Sequence, residues 1–192
     1  MILSNIEIHK AIDEGRLVII PDPQPRNAEE TGCPYDTTAV DLHLSKYLSI
    51  PKSGPYVFDL RKGGIAPFLA LNSEHFQIPD AGYVLEPDTF VLGNTRETVK
   101  LPIEGGLAAR IEGKSSFARC GLLIHFTAPT VHAGFDGTLT LEMINLGNVG
   151  IALWEGMSIC QLILESVIGA PQPHDSQFQG QDTPAGIAKP NK

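Results

Sequence analysis

RIEGKSSFARCGLLIHFTAPTVHAGFDGTLTLEMINLGNVGIALWEGMSICQLILE, residues 110–165, is the stretch on which the fold turns. It packs strand-like apolar runs between turn signals at Gly113, Gly134, Gly137, Gly147 and Glu155-Gly156. Many short strands at such spacing point to a sandwich, jelly roll or barrel. Within it, Thr138–Glu142 (TLTLE) alternates polar and apolar residues and ends on a carboxylate in an otherwise apolar strand. A buried carboxylate is costly unless it is hydrogen-bonded or paired. GKSSFAR, residues 113–119, offers the partners: the Ser115 and Ser116 hydroxyls and the Arg119 guanidinium. Glu142 is thus a candidate acid/base group.

Outward from this core the chain stays turn-rich. At the N-terminus Ser4 caps a helix, Glu7 closes a capping box and Leu3 staples onto Ile8; the helix should run to about Glu14 and stop at Gly15. Leu17–Ile20 is a short strand, and residues 21–34, with Pro21, Pro23, Pro25 and Gly32, form a loop. Ala39–Leu44 alternates with period two, as a half-buried strand does. Tyr56–Leu60 reads as another strand, followed by a turn at residues 61–64 whose two cations are solvated. Gly82–Leu85 and Phe90–Asn94 are strands joined across Glu86-Pro87-Asp88, and Thr95–Val99 continues extended. One helix is expected, at the N-terminus. Residues 1–167 make one domain; residues 168–192 are too rich in Gly, Pro, Gln and Asp for a core. They are either a frayed terminus or a tail that closes over a ligand.

Composition limits the function classes. At 192 residues and 42% hydrophobic the chain can bury a core of its own. A net charge of -8 with scattered Lys and Arg excludes a duplex nucleic-acid binder. No apolar run reaches a membrane span and the first ten residues are no signal peptide, so a cytoplasmic location is expected. Cys33, Cys120 and Cys160, odd in number and far apart, argue against a disulfide framework and fit a reducing compartment.

GKSSFAR, then HFTAPTVHAGF, TLTLE and GMSICQL, in that order and at close spacing, resemble the core of the dCTP deaminases, relatives of the trimeric dUTPases. Residues 1–19, AVDLHL, residues 85–102 and FQGQ extend the likeness; residues 21–38 and 51–80 fall outside it. The resemblance implies an all-β, dUTPase-like distorted jelly roll, a homotrimer with sites between subunits, and hydrolysis of dCTP to dUTP and ammonia. It implies that Glu142 is the catalytic acid and base, that Ser115 and the Ala128 carbonyl position water and the amino group, and that Arg119 orients Glu142. It places the triphosphate on Lys114, Ser115, Ser116, Phe117, Ala118 and Arg119, the base on Thr140, Leu141 and Glu142, and nucleotide contacts on Gln161 and Gln181. Mg²⁺ enters on the triphosphate, held mainly by phosphate and water, and dTTP is the implied feedback inhibitor. Zinc is not expected, because the H-x-E and P-C-x-x-C signature of zinc nucleobase deaminases is missing.

The chain also departs from the family. Lys114 stands for an arginine and loses its bidentate fork. His132 stands for an aspartate that contacts the deoxyribose and, in dUTPases, activates the water attacking the α-phosphate. Gln177 stands for a tail lysine that reaches the phosphates. His132 therefore argues against a diphosphatase step. The readings left open are a bifunctional enzyme that gives dUMP and pyrophosphate, and a non-catalytic nucleotide-binding homologue. Taken singly, His132 reads as a surface imidazole, and Trp154 and Phe135 as core.

Overall fold

The computed structural model describes residues 1–55, 57–174, 176 and 178–186. The first helix, α1, runs Asn5–Asp13 and forms where the capping pattern predicts it. The Ser4 hydroxyl accepts the Glu7 N–H at 3.4 Å, the chain leaves through Gly15 at φ +70°, and Ile8 and Ala11 face inward.

The following elements are β1 (Val18–Ile20), β2 (Val40–His43), β3 (Tyr47–Pro51), α2 (Ile65–Asn72), β4 (Ser73–Gln77), β5 (Tyr83–Leu85) and β6 (Phe90–Lys100). Then come β7 (Leu107–Gly113), α3 (Ser115–Ala118), β8 (Leu122–Leu123), β9 (Thr130–Val131), β10 (Asp136–Asn145), β11 (Ile151–Leu153) and β12 (Ser158–Ser166). All pairings are antiparallel. One sheet runs β4-β3-β6-β10-β8 with β1 also on β6; the other runs β2-β12-β7-β9; β11 and β5 form a separate pair.

The core lies between the two larger sheets. Period-two alternation sends Leu139, Leu141 and Met143 of β10 inward, where they meet Leu42, Leu44, Leu162 and Leu164. Each such side chain stabilises the fold by roughly 1.5–3 kcal/mol relative to exposure. Thr140 and Glu142 consequently face away from the core. Gly93 of β6 makes room for this packing, since a Cβ there would lie 2.7 Å from Met143 Cε, which would have to shift.

The all-β jelly-roll expectation holds, with two local corrections. The strand expected at residues 56–60 does not form over its described part. Asp59 instead caps a 3-10 turn, Leu60–Lys62, by accepting the Arg61 N–H at 3.1 Å, and Val57 and Leu60 stay exposed for want of a sheet partner. Second, the N-terminal helix has company: α2 forms from IAPFLALN, with its proline in the first turn where no N–H is needed. The turn expected at residues 86–88 stands, with Thr89 N–H on Glu86 O at 3.2 Å, and the strands it joins find partners elsewhere. β5 takes β11, and β6 takes β10.

Candidate active site

Facing away from the core, Glu142 and Thr140 line a cavity of about 820 Å³. Ala128 and His132 contribute from the neighbouring loops, Phe178 and Gln181 from the C-terminal segment, and Ile65 and Leu69 from α2. Glu142 is half-buried, and its Oε2 accepts the Phe126 N–H at 3.1 Å. That bond fixes a carboxylate on the wall of a largely apolar pocket, an arrangement suited to holding and moving a proton.

The C-terminal segment is fastened over the cavity of its own chain. Gln181 is 6% exposed; its Nε2 donates to Thr138 O at 2.8 Å, and its own carbonyl accepts Thr138 N–H at 2.9 Å. Gly137 permits this approach, because a Cβ there would stand 3.1 Å from the Gln181 backbone. On the other side, Gly186 packs against Ala66 of α2 and Phe178. Gln181 thus anchors the tail, a role its expected nucleotide contact did not suggest. Gln177 lies outside the described residues.

The GKSSFAR segment is not part of this cavity. It winds into α3, which leaves Ser115, Ser116, Ala118 and Arg119 exposed and Phe117 half-buried against the core. Within one chain, Glu142 takes no hydrogen bond or ion pair from Ser115 or Arg119; its partner is the backbone at Phe126. Leu141 also departs from expectation. Strand alternation buries its side chain in the core, so only Thr140 and Glu142 of that trio line the pocket. Trp154, expected in the core, is 47% exposed, its ring lying over Gly82.

A second polar cluster lies beside α3, at the edge of the other sheet. Lys114 Nζ is tied to Asp41 and donates to Ser158 Oγ at 2.8 Å, while Ser158 Oγ and Gln161 Nε2 donate to Asp41 at 2.9 and 3.1 Å. Lys114, expected at the phosphates, and Gln161, expected to contact the nucleotide, are therefore brought together beside α3, which carries Ser115 and Ser116. Sequence reasoning missed Asp41 and Ser158. The period-two strand at residues 39–44 carried the signal, because it puts Asp41 and His43 on one face.

Next along that face His43 meets Glu97. Glu97 is 1% exposed; it accepts His43 N–H and Nδ1, each at 2.8 Å, and an Arg96 guanidinium N–H at 3.0 Å. Burial pushes the Glu97 carboxyl up, but the His43 hydrogen bonds outweigh it and hold the group below the usual carboxylate range. Glu97 was also unforeseen.

A family model described as dCTP deaminase-like matches residues 2–167. The chain belongs to the dCTP deaminase-like family. It is 36% identical to the "dCTP deaminase, dUMP-forming" of Corynebacterium glutamicum over 207 aligned positions that cover 100% of both chains. With the protein of that name from Methanosphaera stadtmanae the identity is 32%, over 95% of this chain and 91% of the relative. The crystal structure of 2'-deoxycytidine 5'-triphosphate deaminase from Agrobacterium tumefaciens shares the fold, at TM-score 0.60 and 20% identity over 85% of this chain. The match spans about half of that longer chain, 47%.

These comparisons bear out the family and the enzyme class, a hydrolase of a C–N bond. They go against dUTP as the end product, since both curated relatives are named for forming dUMP. The inference from His132 against a diphosphatase step loses its force accordingly: these names favour the bifunctional alternative. Among the described residues of this dCTP deaminase-like chain, no helix is long and apolar enough to cross a membrane.

Proposed function

We propose that the chain deaminates dCTP hydrolytically and carries the product on to dUMP and pyrophosphate. The observation that carries the first step is the Glu142 carboxylate, held by Phe126 N–H on the cavity wall. Glu142 takes a proton from the water that attacks C4 of the base. It returns that proton to the ring nitrogen, then takes the proton of the new C4 hydroxyl and gives it to the amine, and ammonia leaves as the C4–N bond breaks. Such general acid/base work is worth about 10²–10⁴-fold. The Ala128 carbonyl, at the same cavity, holds the amino group.

Each complete site draws on more than one chain of a homotrimer. Glu142 supplies the base half of a site, and Ser115 and Arg119 of an adjoining copy supply the rest. What supports this is their exposure on α3, apart from the Glu142 of their own chain. Lys114, Ser116 and Gln161 meet the triphosphate, and Asp41 holds Lys114 and Gln161 in place. Mg²⁺ travels with the nucleotide, on phosphate oxygens and water as that ion prefers.

Product analysis tests the reading. With dCTP and Mg²⁺, ammonia, dUMP and pyrophosphate should appear in equal amounts. Ammonia with stoichiometric dUTP would overturn the second step, and nucleotide binding without ammonia would overturn both.

A further inference from the structure

Glu142 is bordered by unlike ground on its two sides. Residues directly opposite one another in an antiparallel pair carry their side chains on the same face. Glu142 of β10 stands opposite Leu92 of β6, Leu92 opposite Ser49 of β3, and Ser49 opposite His75 of β4. The four form one row across the outer face of the sheet, with neighbouring strands about 4.8 Å apart. Leu92 and Ser49 face away from the core and are nevertheless only 5% and 0% exposed. The cover there is α2. Its Ile65 and Leu69, one helical turn apart, line the cavity together with Leu92. Its Ala70 carbonyl lies 3.0 Å from His75 Nε2. A carbonyl only accepts, so Nε2 carries the hydrogen, and Nδ1 accepts the Ser49 hydroxyl at 3.0 Å. β4 follows α2 without a break, and Gly186 packs on Ala66. An apolar wall is thus fixed to the sheet that carries Glu142.

The other side of Glu142 is polar. There Phe126 N–H reaches the carboxylate at 3.1 Å, and Ala128 of the same loop joins the cavity. A cytosine ring is divided in the same way. O2, N3 and the amino group on C4 form hydrogen bonds, whereas C5 and C6 carry only C–H. Glu142 works at C4 and N3, and an N3–O2 edge laid against Leu92, Ile65 and Leu69 would lose its hydrogen bonds. The edge that meets this wall is therefore C5–C6. A hydrogen at C5 gives three aliphatic side chains little surface to cover, and an apolar group there gives them more.

We propose that Ile65, Leu69 and Leu92 form a subsite for a small apolar group at C5 of the base, so that 5-methyl-dCTP is a substrate at least as good as dCTP. The inference rests on the deaminase reading above. Water adds at C4 of 5-methyl-dCTP, the C4–N bond breaks and ammonia leaves, giving dTTP. A second water at the α-phosphorus then gives dTMP and pyrophosphate.

The test compares initial rates of ammonia release from 5-methyl-dCTP and dCTP by the full-length protein, read as the ratio of the two kcat/KM values. In the wild type the ratio should be one or above. Leu69→Trp, which fills the subsite, should lower it by about 10-fold or more, the scale on which an apolar pocket senses one methyl-sized group. Leu69→Ala, which withdraws the wall, should lower it by about 4-fold, as for one CH₂ left without cover. General damage to either variant slows both nucleotides and cancels from the ratio. A wild-type ratio below one-tenth overturns the subsite and leaves deamination of dCTP intact. So does a ratio that neither substitution moves. Wild-type protein that releases ammonia from neither nucleotide overturns the deaminase reading, and the subsite with it.

Discussion

His43 on β2 and Glu97 on β6 join the two sheets through the ring nitrogen and the backbone N–H of the histidine, both 2.8 Å from a carboxylate that is 1% exposed. The pair is a cross-link in the polar edge of the sandwich. Removing the carboxylate leaves the His43 N–H without its acceptor, at a cost of about 1–3 kcal/mol. Glu97→Ala should therefore unfold in less urea, by a shift of about that size.

The same pair sets an acid limit. The Glu97 carboxyl is held below its unfolded value, so the folded state favours the charged form. Its contribution is full above the ordinary glutamate range near pH ~4.3 and is lost as pH falls through the lower, folded value. Stability measured by urea unfolding from pH 7 down to 3 should drop on this limb in the wild type. The drop should be shallower in Glu97→Gln; an unchanged slope would show that Glu97 does not carry it.

Glu142→Gln should lose ammonia release by about 10²-fold or more while staying folded. A glutamine carbonyl can still accept the Phe126 N–H that now binds Oε2 at 3.1 Å. Near-normal turnover would remove Glu142 from the chemistry.

Arg119→Ala and Glu142→Gln, each inactive alone, should complement when unfolded together and refolded as mixed trimers. In a random cyclic trimer about a quarter of the composite sites then hold both wild-type residues, and ammonia release should recover to that fraction. Sites built within a single chain would recover nothing.

Gly93→Ala places a methyl 2.7 Å from Met143 Cε and 3.0 Å from Leu44 Cδ1. Overpacking of this kind costs about 1–3 kcal/mol, read as a lower urea midpoint. Because Gly93 lies opposite Leu141 on β10, thermal unfolding of the variant should keep a single transition.

Local rules were legible wherever one stretch decided its own conformation. The Ser4 cap, the Gly15 stop and the alternation in Thr138–Glu142 all stand in the structure, and with them the placing of Glu142 opposite the core. Asp41, Glu97 and Ser158 were not legible, because their partners come from strands far away in sequence. Glu97 acquires meaning only when β6 lies beside β2. α2 was missed for a different reason. IAPFLALN is apolar all round, so neither helical nor strand period stands out, and its contact with Gly186 is made by a segment more than a hundred residues later. The resemblance likewise fell silent over residues 51–80, where α2 lies.

The cover over the cavity, made of α2 and the segment anchored at Gln181, belongs to the same chain as Glu142. Any opening of it would be a first-order event, indifferent to how dilute the protein is. Completion of the site by Ser115 and Arg119 of another copy, as proposed above, would be of higher order. Dilution should therefore silence the chemistry while each separated chain still keeps its own roof.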